Sequence, residues 1–277
     1  MKTTTKKPPI PSIHADSFLI DSHCHLDMND YKDDLDTILA RAKAHGIHSI
    51  ISIGIDEESS MAAIELAKKY SIIKASVGVH PHDVEQIDDC TYERLKKLIT
   101  QNREHVVGYG EIGLDYAKLY AEATLQRKAF REQLLLAKEL NLPVIIHDRE
   151  AHDDTIEILE HIHPFPSRGV MHCFSGDIKL AEKVIALGFL VSIPGVVTFK
   201  NGVVLQEVAA NIPLDSLILE TDGPFLAPVP WRGKRNEPAY LLYTAEKIAQ
   251  LRGISMEEVA DQTSKNVAKL FNYSITE

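Results

Sequence analysis

An α/β fold is what this sequence predicts: one closed barrel of eight parallel strands with helices wrapped around it. Three observations predict it. Short apolar runs alternate with amphipathic stretches along nearly the whole chain, the runs number about eight, and side chains that bind metals recur where an apolar run gives way to a loop. A length of 277 residues is long for an ordinary domain but usual for such a barrel as a single unit.

The chain opens with a lead-in, residues 1–16, whose threonine run, Lys2, Lys6, Lys7, Pro8, Pro9 and Pro11 offer little to bury. It is predicted to be disordered, with one domain over 17–277. The first strand is placed at 18–22, then a helix at 35–44 that Gly46 closes as a C-cap. The second strand (49–53) leads to a helix at 61–70, the third (72–79) to one at 92–100, and the fourth (106–110) to one at 124–140. The fifth and sixth strands fall at 144–147 and 170–172, followed by a helix at 178–187 that Gly188 closes. The seventh (189–193) leads to a helix at 202–210, and the eighth is 217–220. Two helices end the chain, 239–251 and, after Ser255 as N-cap, 256–270: one completes the outer ring and the other is extra. No Gly/Ser linker or charge block divides these units, so a single (β/α)8 TIM barrel is expected.

Composition narrows the function classes. Hydrophobic content of 44% and charged content of 25% are ordinary for a globular protein, and no stretch approaches the roughly 20 apolar residues that cross a bilayer. No apolar segment follows the N-terminal lysines, so neither a signal peptide nor a membrane partner is expected. Cys24, Cys90 and Cys173 are odd in number and widely spaced, which argues for a reducing compartment, the cytoplasm. A net charge of −10 weighs against a broad surface that coats nucleic acid. It leaves room for local binding, because bound cations would neutralise a carboxylate cluster.

Parallel strands joined by crossover helices bring all strand C-terminal ends to one face. At those ends stand His23 and His25, Glu111, His147, His172 and Asp222. His23 and His25, two apart on an extended segment, project to the same side and can grip one ion, while Cys24 between them points away. Cys173, next to His172, is expected to point elsewhere too. Each residue has a plainer alternative: Glu111 could cap a turn, Asp222 before Gly223-Pro224 could form an Asx-turn, and His147 and His172 could be hydrogen-bonded core residues. Their shared placement favours metal. Six protein ligands are too many for one tetrahedral ion and suit two divalent cations about 3.5–4 Å apart, one carboxylate bridging them. Water between such ions is acidified to near neutrality and supplies hydroxide, with Asp222 able to accept and return its proton. Zinc, manganese, iron and cobalt suit the imidazoles, and the carboxylates also admit magnesium.

The ordered motifs at 21–27 (DSHCHLD), 78–82 (GVHPH), 110–116 (GEIGLDY), 146–149 (IHDR), 172–176 (HCFSG), 220–224 (ETDGP) and 226–238 resemble the TatD family of metal-dependent DNases, from about Leu19 to Phe271. The resemblance implies an amidohydrolase-like barrel and hydrolysis of DNA phosphodiester bonds, often as an exonuclease. It assigns His23 and His25 to a first metal, His147 and His172 to a second, Glu111 to the bridge, and Asp222 to the first site and to proton transfer. Catalytic roles thus fall to Asp222 and Glu111. Because the fourth strand ends in Glu111, metal binding should not require a carboxylated lysine.

A polyanion held at this site needs cations. Arg149, Arg232, Lys234 and Arg235 could pair with phosphate oxygens, the alternative being solvated charge or, for Arg149, a bond to Glu150 or Asp153. His80 and His82, flanking Pro81 after the third strand, are expected to face the site and touch substrate or support a metal ligand. His14, His45, His48, His105, His152, His161 and His163 are expected on the surface or in loops. The leading expectation is a nuclease acting on single strands or strand ends of DNA, with no obligatory protein partner. The alternative is an amidase, lactonase or deacylase on the same barrel, aminoacyl-tRNA included. A metal-binding protein without turnover is a third reading, which six intact ligands do not favour.

Overall fold

The computed structural model of the chain describes residues 9–273. Eight strands form one sheet in sequential order, each strand parallel to the next: β1 (Leu19–Cys24), β2 (Ile47–Ser52), β3 (Ile73–Val77), β4 (Val106–Asp115), β5 (Val144–Arg149), β6 (Gly169–Met171), β7 (Leu190–Ile193) and β8 (Leu217–Leu219). Helices fill the crossovers: α1 (Leu35–Ala44), α2 (Glu57–Lys69), α3 (Thr91–Gln101), α4 (Ala123–Glu139), α5 (His152–Ile162), α6 (Ile178–Ala186) and α7 (Val203–Asn211), followed by α8 (Leu241–Arg252) and α9 (Met256–Phe271). This is a (β/α)8 TIM barrel. Gly46 and Gly188 follow α1 and α6 with φ of +81° and +84°, the left-handed conformation that ends a helix. Ser255 caps α9 in a reciprocal box with Glu258.

Alternation along the strands builds two apolar layers. Leu19, Ile50, Val77, Ile146, Val191 and Leu217 face outward into a shell shared with the helices. Ile20, Ile51, Val107, Ile145, Val170, Leu190 and Ile218 pack in a separate cluster with Val267, Leu270 and Phe271 of α9. Helix α9 is therefore the extra one. The Asn266 amide donates to the Leu214 and Leu217 carbonyls at 2.8 Å, and Ser264 Oγ to the Phe18 carbonyl, so α9 is fixed at the N-terminal ends of β1 and β8. Two residues beyond Ile145, Val170 and Ile218 come His147, His172 and Glu220, and the same alternation carries them to the opposite end of the barrel.

The joint between β1 and β8 differs from the other seven. Its backbone pairing is confined to the C-terminal end: an isolated bridge between Cys24 and Gly223, with the His25 N–H donating to Gly223 O at 2.7 Å and the Asp222 N–H to His23 O at 2.9 Å. Lower down, side chains hold it. Ser22 Oγ donates to Leu219 O at 2.8 Å, while the buried Asp21 carboxylate accepts from the Thr221 N–H at 2.9 Å and the Thr221 hydroxyl at 2.5 Å.

Three features depart from the sequence expectation. Helix α5, rich in Asp and His at its start, was not anticipated and carries His152 and His161. Strand β4 continues to Asp115, so Glu111 lies within it. Residues 1–8 of the predicted lead-in lie outside the described residues; residues 9–16 form no helix or strand, yet Ile10 and Ile13 pack against the outer shell. Among the described residues no helix is long and apolar enough to cross a membrane.

Candidate metal centre

Glu111 is 3% exposed and stands at the middle of a cluster of imidazoles. The register of β4 slips between Tyr109 and Ile112, and the Glu111 N–H donates to Gly54 O at 2.9 Å instead of continuing the ladder. Gly110 and Gly113 flank it with φ of +149° and +148°. A Cβ at either would run into the β5 backbone, at Ile145 O and His147 O respectively, so only glycine allows β4 to press against β5 while turning Glu111 inward.

The two oxygens of Glu111 divide the histidines between them. Oε2 lies 3.3 Å from His23 Nε2 and 3.8 Å from His25 Nε2. Oε1 lies 2.7 Å from both His147 Nδ1 and His172 Nε2. Asp222 Oδ1 closes the first group, 3.5 Å from His25 Nε2 and 3.8 Å from His23 Nε2. All six residues predicted as ligands thus converge. His23 with His172 and Asp222, and His23 with His25 and Glu111, each bring donor atoms within the span of one ion.

The donor chemistry fits cations. The Nε2 atoms of His23 and His25 lie 3.3 Å apart, as do His147 Nδ1 and His172 Nε2. Two neutral imidazole nitrogens that face each other can share at most one proton, and a divalent cation between them takes both lone pairs. Electrostatics follow the same arrangement. Burial raises the Glu111 carboxyl, but His172, His80 and His23 outweigh it and hold the group well below the usual carboxylate range. Burial, aided by His172, pushes His23 down to about 3. For His172 burial is outweighed by Glu111 and Glu220, and for His147 by Asp115 and Glu111, so both are raised. His25 is also raised, Asp222 and Glu111 together outweighing its burial.

His80 and His82 face the site as expected, with different roles. His80 Nδ1 accepts the His82 backbone N–H at 3.1 Å, which leaves the proton on Nε2, 3.5 Å from Glu111 Oε1. Burial pushes His80 down to about 4, so the ring is neutral and suited to hold the carboxylate. His82 Nε2 meets Asp115 Oδ2 at 2.8 Å, and the same oxygen lies 3.3 Å from His147 Nε2. Asp115, like Glu220 Oε1 at 3.6 Å from His172 Nδ1, backs an imidazole from behind. Neither role was foreseen. The signal was present in the GEIGLDY and ETDGP segments, where both carboxylates stand near a ligand-type residue.

A cavity of about 580 Å³ opens over the cluster, lined by His25, His82, Glu111, His147, His172 and Asp222 among others, with Lys118 and Arg149 as the cations on its wall. Arg149 pairs with neither Glu150 nor Asp153 among the described residues. Lys118 was not predicted. The structure does not bring Arg232, Lys234 and Arg235 to this wall. Arg235 binds Asp34 through two nitrogens, at 2.6 and 2.9 Å, Arg232 lies over the Phe199 ring at 4.3 Å, and Lys234 is exposed. Cys173 also lines the cavity, contrary to expectation, because its φ of +44° breaks the extended alternation that would have turned it away.

Comparison with known proteins places this architecture. The family model described as TatD related DNase matches residues 20–272. An uncharacterized metal-dependent hydrolase of Bacillus subtilis, YabD, is 41% identical over 253 residues, covering 91% of this chain and 98% of that protein. An uncharacterized metal-dependent hydrolase of Escherichia coli, YcfH, is 40% identical over 258 residues, covering 92% and 96%. Among solved structures, the TatD homolog YJJV of Escherichia coli aligns with a TM-score of 0.88 at 33% identity over 92% of this chain and 98% of that one. The chain belongs to the TatD family.

Proposed function

We propose that this TatD-family metal-dependent hydrolase is a deoxyribonuclease that cleaves phosphodiester bonds of single strands or strand ends, acting as an exonuclease. The observation that carries the reading is Glu111 at the floor of the cavity, its Oε2 facing His23 and His25 and its Oε1 facing His147 and His172, with His80 at 3.5 Å from Oε1. His23, His25 and Asp222 would hold one divalent cation, His147 and His172 a second, and Glu111 both. When bound, such a pair supplies Lewis-acid stabilisation of phosphoryl charge and an acidified water. Asp222, which also lines the cavity, would accept a proton from the attacking water and return it to the leaving oxygen. Arg149 and Lys118 pair with phosphate oxygens on either side of the cleaved bond. Zinc, manganese or magnesium satisfies this donor set. The three cysteines are free, in keeping with the cytoplasm as its location.

The test compares hydrolysis of a single-stranded oligonucleotide, a model ester and an amide by the metal-loaded protein, with and without chelator. Chelator-sensitive cleavage of the oligonucleotide alone supports the reading. Turnover of the ester or amide with the oligonucleotide left intact replaces it by an amidase, lactonase or deacylase.

A further inference from the structure

Two large aromatic side chains stand exposed beside the cavity, and nothing in the packing of the barrel accounts for them. Tyr120, in the loop after β4, is 63% exposed, and Phe225, in the loop after β8, is 49% exposed. Neither belongs to the apolar clusters of the barrel. Each touches one histidine of the site. Tyr120 meets His82 edge to face at 4.7 Å between ring centroids, and Phe225 meets His25 in the same manner at 6.0 Å. These contacts leave much of each ring open to solvent, 63% of Tyr120 and 49% of Phe225.

Each loop is fixed by a fully buried carboxamide, Gln126 for one and Asn236 for the other. Gln126 accepts the Asp115 N–H at 2.9 Å and donates to the carbonyls of Asp115 and Ala121, at 3.1 and 2.9 Å, clamping the two ends of the segment that carries Tyr120. Asn236 donates to the carbonyls of Thr221 and Phe225, both at 2.8 Å, and its N–H donates to Pro224 O at 2.9 Å. An exposed ring on a loop held so tightly gives up little conformational entropy when a flat ligand settles on it. Lys118 Nζ lies over the Tyr120 ring, 5.9 Å from its centre, and adds a cation to that platform.

We infer that Tyr120 and Phe225 are stacking platforms for the two nucleobases that flank the cleaved phosphate, one base on each side of the metal cluster. Aromatic faces accept any base, so the platforms confer strand binding without sequence preference and require bases that are unpaired. This rests on the DNA reading above. Arg149 and Lys118, on the cavity wall, then hold phosphate while the rings hold the bases.

The experiment uses metal-loaded protein and single-stranded oligonucleotides with one abasic position, placed on one side or the other of the cleaved bond. For wild type, each abasic substitution should raise KM by roughly tenfold with kcat changed less. Tyr120→Ala and Phe225→Ala should each raise KM for the normal strand by a similar factor. Each variant should lose sensitivity to one abasic position and keep it for the other, while Tyr120→Phe and Phe225→Tyr restore wild-type KM. Both rings are exposed, and unchanged thermal melting confirms that the variants fold. Equal abasic sensitivity in wild type and both alanine variants overturns the platforms and leaves the nuclease reading intact. Failure of the wild type to cleave any oligonucleotide overturns the nuclease reading, and the platforms with it.

Discussion

The two halves of the donor cluster are held in opposite ways. His23, His25 and Asp222 are placed by main chain: the Asp222 N–H bonds to His23 O and the His25 N–H to Gly223 O, so donors from opposite ends of the sequence fix one another's backbones. Among the described residues their imidazole Nδ1 atoms have no hydrogen-bond partner, and neither has that of His172, whose backing carboxylate stands 3.6 Å away. His147 and His172 are placed by side chains, each ring with a carboxylate at its back, Asp115 in one case and Glu220 in the other. A half built on backbone resists point mutation of its surroundings. A half built on carboxylates is tunable, because each backing charge sets the basicity of a ligand.

Glu111 spans both halves, so its loss should have the largest effect. Glu111→Ala or Glu111→Gln is expected to abolish turnover with the fold intact, since the residue lies at the mouth of the barrel. Near-wild-type turnover of either variant at saturating metal would remove the bridge and the comparison with it. Asp222→Asn keeps the shape and one coordinating oxygen but cannot hold a proton. Turnover should fall by roughly two to four orders of magnitude while metal content falls only in part. Full recovery of activity in excess metal would reduce Asp222 to a ligand.

The backing carboxylates sharpen the contrast between the halves. Asp115→Asn and Glu220→Gln keep an acceptor oxygen and remove the charge, and each should weaken one of two metal-binding steps by roughly 10- to 100-fold. Calorimetric titration of the metal-free protein resolves those steps. Equal weakening of both steps would show that the halves are not independently held.

The smallest change in turnover is expected at Asp21, the staple of the backbone-built half. Burial, partly offset by the bonds from Thr221 and His23, raises its carboxyl from 3.8 to about 7. A raised folded-state pKa means that the native protein binds more protons than the unfolded chain between about pH 4 and 7. The contribution of this group to stability is therefore greatest below pH 4 and declines as pH rises to 7. Asp21→Asn keeps an oxygen that accepts the Thr221 and His23 N–H groups, turns the Thr221 hydroxyl contact into one that the amide donates, and removes the charge. Denaturant melts of metal-free protein should show the variant gaining on wild type by a few kcal/mol between pH 4.5 and 7.5. A constant difference across that range would refute the assignment.

Much of this was legible in the sequence. The eight apolar runs marked the strands, and ligand-type residues at their ends marked the face where the site lies. Six donors converge because strand ends in such a barrel must. What lay beyond reach depended on irregular backbone. The slip at Glu111 and the left-handed turn at Cys173 break the alternation from which side-chain direction is inferred. Helix α5 begins with His152, Asp153 and Asp154, which obscured its apolar face. The path of the loop after β8 cannot be read from composition, so the cations Arg232, Lys234 and Arg235 were marked for substrate while Lys118 went unnoticed.

The joint between β1 and β8 also sets an order in time. Asp21 and Thr221, which staple it, are 200 residues apart in sequence, and contacts of such span form late because a long loop must close first. A ribosome making this chain releases His23 and His25 early, but the residues that lock them emerge only with the last quarter of the protein. Growing chains therefore carry two histidines with no Asp222 beside them. A hydrolase assembled in this way is silent until its synthesis is nearly done.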